Sequence, residues 1–291
     1  MPMVLPFDQI SAPAVAAFTR ETYAELYEGA TPTVLDVFFR DVEEMFAGNY
    51  LDYQKIDTPY HNFEHTLRVA LCLVEILAGR QRAQVEPRLT PRQFELSVAA
   101  ALLHDIGYLK LRADVDGTGA KYTYTHVLRS CALAAAYLPT RGASLEEIEM
   151  VLGAISCTNP NGGIRRINFQ EPIGGIIACA VATADFLGQM SAPNYLAQLP
   201  LLFAEFEESD NFSGVPARDR MFATVDELIA KTPLFWKTSV LPKLENDLLG
   251  LYRFLATPYP EGNSRYLAAI DRNIEAIAEE GTRRTQAVGT I

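Results

Sequence analysis

An all-α fold is what this sequence predicts, and three observations carry the prediction. Apolar residues recur at helical spacing along most of the chain. Stretches rich in β-branched residues are short and do not alternate with polar ones, so strand signals are few. Gly, Pro, Asp and Asn gather in a few places, between the periodic segments.

Residues 8–28 and 33–48 read as the first two helices. The second follows the start signal Thr31-Pro32 and carries Val34, Leu35, Val37, Phe38, Val42 and Met45 at helical spacing. A third, over about 60–80, opens on YHNFEH and continues LRVALCLVEILAG to a stop at Gly79. A fourth starts at Thr90-Pro91 and runs through QFELSVAAALLHD into Gly107. Further helices are expected at 122–138, 144–157, 171–189, 193–208, 218–231, 234–256 and 263–280. Segments 108–121, 158–170 and 209–217 read as loops, and 281–291 as a frayed tail. As domains, residues 1–55 form a helical segment packed on the core, 56–258 the main bundle, and 259–291 a C-terminal helix with its tail.

With 291 residues, the chain can bury most of its apolar surface in one large domain or two small ones. Its formal charge is −11. So acidic a chain has little non-specific affinity for nucleic acid or an anionic membrane, both of which are polyanions. A small phosphorylated ligand is compatible with that charge where a few cations gather locally. Cys72, Cys131, Cys157 and Cys179 show no CxxC spacing and lie in apolar surroundings, which reads as buried free thiols in a reducing compartment. The N-terminal MPMVLPFDQI lacks the basic and apolar regions of a secretory signal. No stretch of about 18 uncharged apolar residues stands out, so a cytoplasmic protein without a membrane span is expected.

Histidine is scarce, four in all, and three of the four fall in two short motifs, YHNFEH (Tyr60 to His65) and LLHDIG (Leu102 to Gly107). Placed on a helix, His61 and His65 are i and i+4 and share a face, with Arg68 near it. His104 and Asp105 end a very apolar helix, where an ionised carboxylate is costly unless a cation or metal accompanies it. Imidazole nitrogen and carboxylate oxygen are the ligand atoms that Zn, Mn and Fe accept. Asp185 is a similar case, the only charged residue between Glu171 and Glu205. Each feature alone is more often ordinary core. Together they point to a metal site built by helices distant in sequence.

The combined pattern resembles the HD superfamily of metal-dependent phosphohydrolases. More narrowly, YHNFEH, HDIG and Asp185 resemble the catalytic domain of class I cyclic nucleotide phosphodiesterases, whose site opens with a Y-H-N-x-x-H motif. The likeness covers about residues 58–190 and continues faintly through EFEESD (Glu205 to Asp210) and PARDR (Pro216 to Arg220). It implies an HD-domain, phosphodiesterase-like multi-helix bundle in which His65, His104, Asp105 and Asp185 hold a first metal. Asp105 would bridge to a second, so the implied cofactors are two divalent ions drawn from Zn, Mn, Mg and Fe. His126, in YTHVLRS, matches a further family histidine near the metal-bound water or the second metal. His61 is implied as the general acid. The implied reaction is hydrolysis of a phosphodiester such as a cyclic nucleotide by a metal-bound hydroxide. The implied partner is thus a small phosphorylated substrate, with no nucleic acid and no membrane. An iron oxygenase, a phosphomonoesterase and a non-catalytic nucleotide-sensing module are the alternatives. The apolar C-terminal helices are compatible with a homodimer.

The chain departs from the family in three places. No histidine follows His126, which argues against a second iron ligated wholly by histidine and so against the oxygenase. Where the family's purine-gripping glutamine stands, this chain reads AKTPLFW, with no Gln before Phe235. After the HD pair it reads IGYLK, without the family's H-P-G. DVDGTG (Asp114 to Gly119) lacks both the preceding strand of a dehalogenase-type nucleophile and the remaining ligands of a calcium loop, and reads as a turn. Lys110, Arg112 and Lys121 are expected as solvated loop charges, as are Arg165 and Arg166, with a grip on phosphate as the alternative. Asn62 and Glu64 read as groups orienting imidazoles, with a helix cap as the alternative for Asn62. Gln189, Phe186, Phe235 and Trp236 have a substrate-facing reading, with core or surface the plainer one.

Overall fold

The helix signals translate into eleven α-helices in the computed structural model, which describes residues 4–159, 167 and 169–288. No sheet is present among these residues; Tyr53 with Leu111 and Thr257 with Asn263 form isolated bridges. Arg165 and Arg166 lie outside the described residues.

Two helices form the buried centre. In α3 (Phe63–Arg82) the apolar run Val69 to Val74 is fully buried, which suits a helix wrapped by others. α7 (Pro172–Met190) is its partner. By length and composition α7 is apolar enough to cross a bilayer, with Asp185 as its one charged residue, but 72% of that window is buried inside the bundle. The two helices approach closely at Gly188, where a Cβ would stand 2.9 Å from the Arg68 carbonyl oxygen. That crossing lays Asp185, one turn earlier on α7, beside the first turn of α3.

Other helices enclose this pair. α1 (Ala12–Leu26) packs on α3, and α2 (Leu35–Ala47) on α4 (Pro91–Leu103). α5 (His126–Tyr137) and α6 (Leu145–Ser156) follow, with α6 against α7. α8 (Tyr195–Phe212), α9 (Val225–Phe235), α10 (Leu241–Asn246) and α11 (Arg265–Val288) close the remaining side. One buried apolar cluster runs through these layers from Ala12 to Ile277.

Helix ends account for most departures from the expected boundaries. α1 begins at Ala12, because Ser11 caps it and Pro13 sits in its first turn. α2 starts at Leu35 and not 33, since the Thr33 N–H and hydroxyl both donate to the buried Glu95 carboxylate at 2.5 and 2.8 Å. α9 waits for the Thr224 cap. The helix expected over 234–256 is interrupted: a π turn over Trp236–Val240 leads into α10, and Leu249 and Gly250 then take positive φ. The expected frayed tail is helical to Val288, and Arg284 pairs with both Asp226 and Glu280. Lys110 and Lys121, expected in solvent, are buried. The Lys121 ammonium is held by the Asp114 carboxylate and the Asp116 carbonyl, so DVDGTG is a turn wrapped around an internal cation.

Candidate metal centre

The site begins with a cap. Asn62 accepts a hydrogen bond from the His65 backbone N–H at 3.1 Å and starts α3 at Phe63. His61 therefore lies in a bend before the helix, and the i, i+4 placement expected for His61 and His65 does not occur. Their rings still come within 5.5 Å, because the chain folds back at Tyr60 and His61. Glu205 on α8 holds it there. Its fully buried carboxylate accepts from the backbone N–H of Tyr60 at 2.6 Å and of His61 at 3.1 Å, and meets His61 Nδ1 at 2.5 Å.

His104 caps the end of α4. Its Nδ1 faces the Ala101 carbonyl oxygen at 2.7 Å. A carbonyl only accepts, so Nδ1 carries the proton and Nε2 presents a lone pair. Asp105 follows, then a 3₁₀ turn over Ile106–Tyr108 packed on the start of α5. Gly107 makes that docking possible: a Cβ there would stand 2.0 Å from the His126 carbonyl oxygen. Its N–H donates to Ser130 Oγ at 2.8 Å, and Arg129 Nε donates to its carbonyl at 2.7 Å. His126 is thereby brought to Asp105, with Nε2 3.6 Å from Oδ1, while its Nδ1 donates to the Thr123 carbonyl at 2.6 Å.

Four donor atoms converge. His65 Nε2 and His104 Nε2 are 3.3 Å apart, and each is 3.2 Å from Asp105 Oδ2. Asp185 Oδ1 lies 3.4 Å from the first and 3.7 Å from the second. Ligands about 2.1 Å from a common ion are separated by roughly 3.0 Å in octahedral and 3.4 Å in tetrahedral geometry. The observed separations thus suit atoms sharing one cation. Asp105 Oδ2 is buried and makes no hydrogen bond, which a metal would remedy.

The electrostatics agree. Burial alone would push the His65 imidazole down, but Asp105 and Asp185 outweigh it and hold the ring up at about 10. His104 is raised by the same carboxylates against its burial. Asp105 is held well below the usual carboxylate range, its burial overcome by His104 and His65. The carboxylates thus draw positive charge into the site. A divalent cation is the form of it that leaves both imidazoles neutral and able to ligate.

The remaining candidates fall on either side of this centre. Glu64, expected beside an imidazole, pairs with Arg68 at 2.6 Å. Gln189 accepts a hydrogen bond from the Tyr60 hydroxyl. Trp236 is buried in the core, whereas Phe235 is exposed on α9. Sequence reasoning missed two neighbours, Glu205 and Tyr108. Glu205 had a signal, since it lies on the buried stripe of Tyr195, Leu199 and Ser209 along α8. Glu208 and Asp210, from the same acidic run, hold Thr118 and the Tyr124 hydroxyl. No known family model matches this chain, and no curated protein is significantly similar to it.

Proposed function

We propose that this protein is a metal-dependent phosphohydrolase of HD type, acting on a small phosphodiester such as a cyclic nucleotide, with His61 as general acid. The observation that carries this reading is the convergence of His65, His104, Asp105 and Asp185 on one point, with a buried carboxylate oxygen left without a hydrogen bond. A divalent cation bound there would acidify water and offset the charge of a phosphoryl group. His126 Nε2, facing the second oxygen of Asp105, is the donor available to an adjacent ion.

The protein's own groups supply the rest. Side-chain exposure is 15% for His61, 16% for His126 and 19% for Asp185, against 1% for His104 and 2% for Asp105. The site therefore opens on the side where His61 stands, and a phosphoester enters past it. Glu205 holds the Nδ1 proton of His61, so Nε2 is the nitrogen that delivers a proton to the departing oxygen. Lys110 and Lys121 are engaged by the loop itself, leaving the ions and imidazoles to balance the phosphate.

The test is hydrolysis of bis(p-nitrophenyl) phosphate by protein stripped with a chelator and reloaded with Mn²⁺, Zn²⁺, Mg²⁺ or Fe²⁺, with Asp105→Ala alongside. Metal-dependent turnover by the wild type, lost in the variant, is expected. Retained metal without turnover for any ion would overturn the reading and direct attention to oxygen consumption and to ligand binding without chemistry.

A further inference from the structure

Tyr108, two residues beyond the HD pair's aspartate, is fully buried between functional histidines. Its ring lies 4.9 Å from that of His61 at 21° and 4.8 Å from that of His126 at 11°. Both separations are in the range of offset aromatic stacking. The imidazoles themselves are 6.0 Å apart. At Nδ1 His61 meets Glu205 and His126 meets the Thr123 carbonyl; His126 Nε2 also lies 3.6 Å from Asp105, and the His61 ring meets those of Tyr60 and His65 edge-on at 4.8 and 5.5 Å. One hydrogen bond fixes a direction for a ring but leaves it free to turn about that direction. A third ring stacked on both sets their planes. Tyr108 presents its flat ring face to both imidazoles. Tyr108 is itself anchored, its N–H bonded to the Asp105 carbonyl at 3.2 Å, and Gly119 packed against its own carbonyl.

We infer that Tyr108 is a positioning residue whose ring sets the planes of the His61 and His126 imidazoles and so aims their Nε2 atoms into the site. The kinetic side of this inference rests on the phosphohydrolase reading; the geometric side does not. With four histidines in the chain, the ring protons of Zn²⁺-loaded protein can be assigned by NMR using histidine-labelled samples and single His→Gln variants. In the wild type and in Tyr108→Phe, the ring protons of His61 and His126 are expected to be shifted upfield by the stacked ring. In Tyr108→Leu both shifts collapse, while those of His104 stay in place. Turnover of bis(p-nitrophenyl) phosphate is expected within about 2-fold of wild type for Phe. For Leu, kcat on a cyclic nucleotide, whose leaving alkoxide needs the proton, falls on the order of 10-fold or more with KM unchanged, while bis(p-nitrophenyl) phosphate loses less than about 10-fold, as misaimed groups lose rate without losing affinity. Tyr108→Met, which fills the space with a flexible apolar chain, replaces Leu if that variant does not fold. A Phe variant as damaged as Leu, or unchanged His61 and His126 shifts in Leu or Met, would overturn the inference. If the wild type has no phosphodiesterase turnover, the hydrolase reading falls and the shifts alone still decide the role of the ring.

Discussion

Replacing Glu205 by Gln separates the proton-delivery step from the rest of the site. The carboxylate is fully buried and accepts three bonds, from the N–H groups of Tyr60 and His61 at 2.6 and 3.1 Å and from His61 Nδ1 at 2.5 Å. Glutamine keeps one oxygen, which can still serve the two backbone donors. It places an NH₂ group where the second oxygen met the imidazole. Two N–H donors cannot bond each other, so His61 must change tautomer and its cation faces a donor. Losing one buried bond of this kind costs about 1–3 kcal/mol of stability, which a urea midpoint detects. The rate effect depends on the leaving group. General acid catalysis contributes roughly 10²–10⁴-fold where the departing oxygen needs a proton. A ribose alkoxide needs it, and p-nitrophenolate hardly does. For Glu205→Gln, kcat on a cyclic nucleotide is expected to fall on the order of 10²-fold or more, and on bis(p-nitrophenyl) phosphate by less than about 10-fold. Equal losses on both substrates, or no loss on either, would refute His61 as the acid held by Glu205.

Two further expectations concern stability. Gly107→Ala puts a methyl group 2.0 Å from the His126 carbonyl oxygen, a backbone atom that cannot swing aside. The urea midpoint is expected to drop by the equivalent of about 2–3 kcal/mol, and an unchanged midpoint would show that α5 does not need this contact. Burial pushes the Cys157 thiol up to about 11 and that of Cys179 to about 12. Unfolded thiols titrate near 8.5, so both groups favour the folded state fully below about pH 8.5 and lose that contribution as pH rises through about 11 to 12. A urea midpoint followed upward in pH should fall less steeply in a Cys157→Ala, Cys179→Ala double variant than in the wild type; parallel curves would contradict the assignment.

Much of the helical layout could be read without coordinates. Thr90 and Ser144 are capping residues with Gln93 and Glu147 three residues on, and α4 and α6 start where those signals stand. The grouping of His65, His104, Asp105 and Asp185 was also foreshadowed, because a carboxylate alone in an apolar helix has few tolerable fates. Boundaries went astray where a side chain's partner lay elsewhere. Thr33 is claimed by Glu95, 62 residues away, and Tyr60 and His61 are held ahead of α3 by Glu205. Lys121 was expected in solvent because nothing local shows that Asp114 and the Asp116 carbonyl curl around it.

By itself, the sequence determined a helical protein whose acids and imidazoles must meet around positive charge, since periodicity and the cost of buried ionisation are properties of short segments. Only the tertiary structure decided which helices touch. It set Glu205 against His61 across 144 residues, stacked Tyr108 on two imidazoles, and used Gly107 and Gly188 to bring backbones close enough for the groups to meet. Such pairings depend on how whole helices dock, and docking follows from packing across the bundle, which no local run of residues encodes.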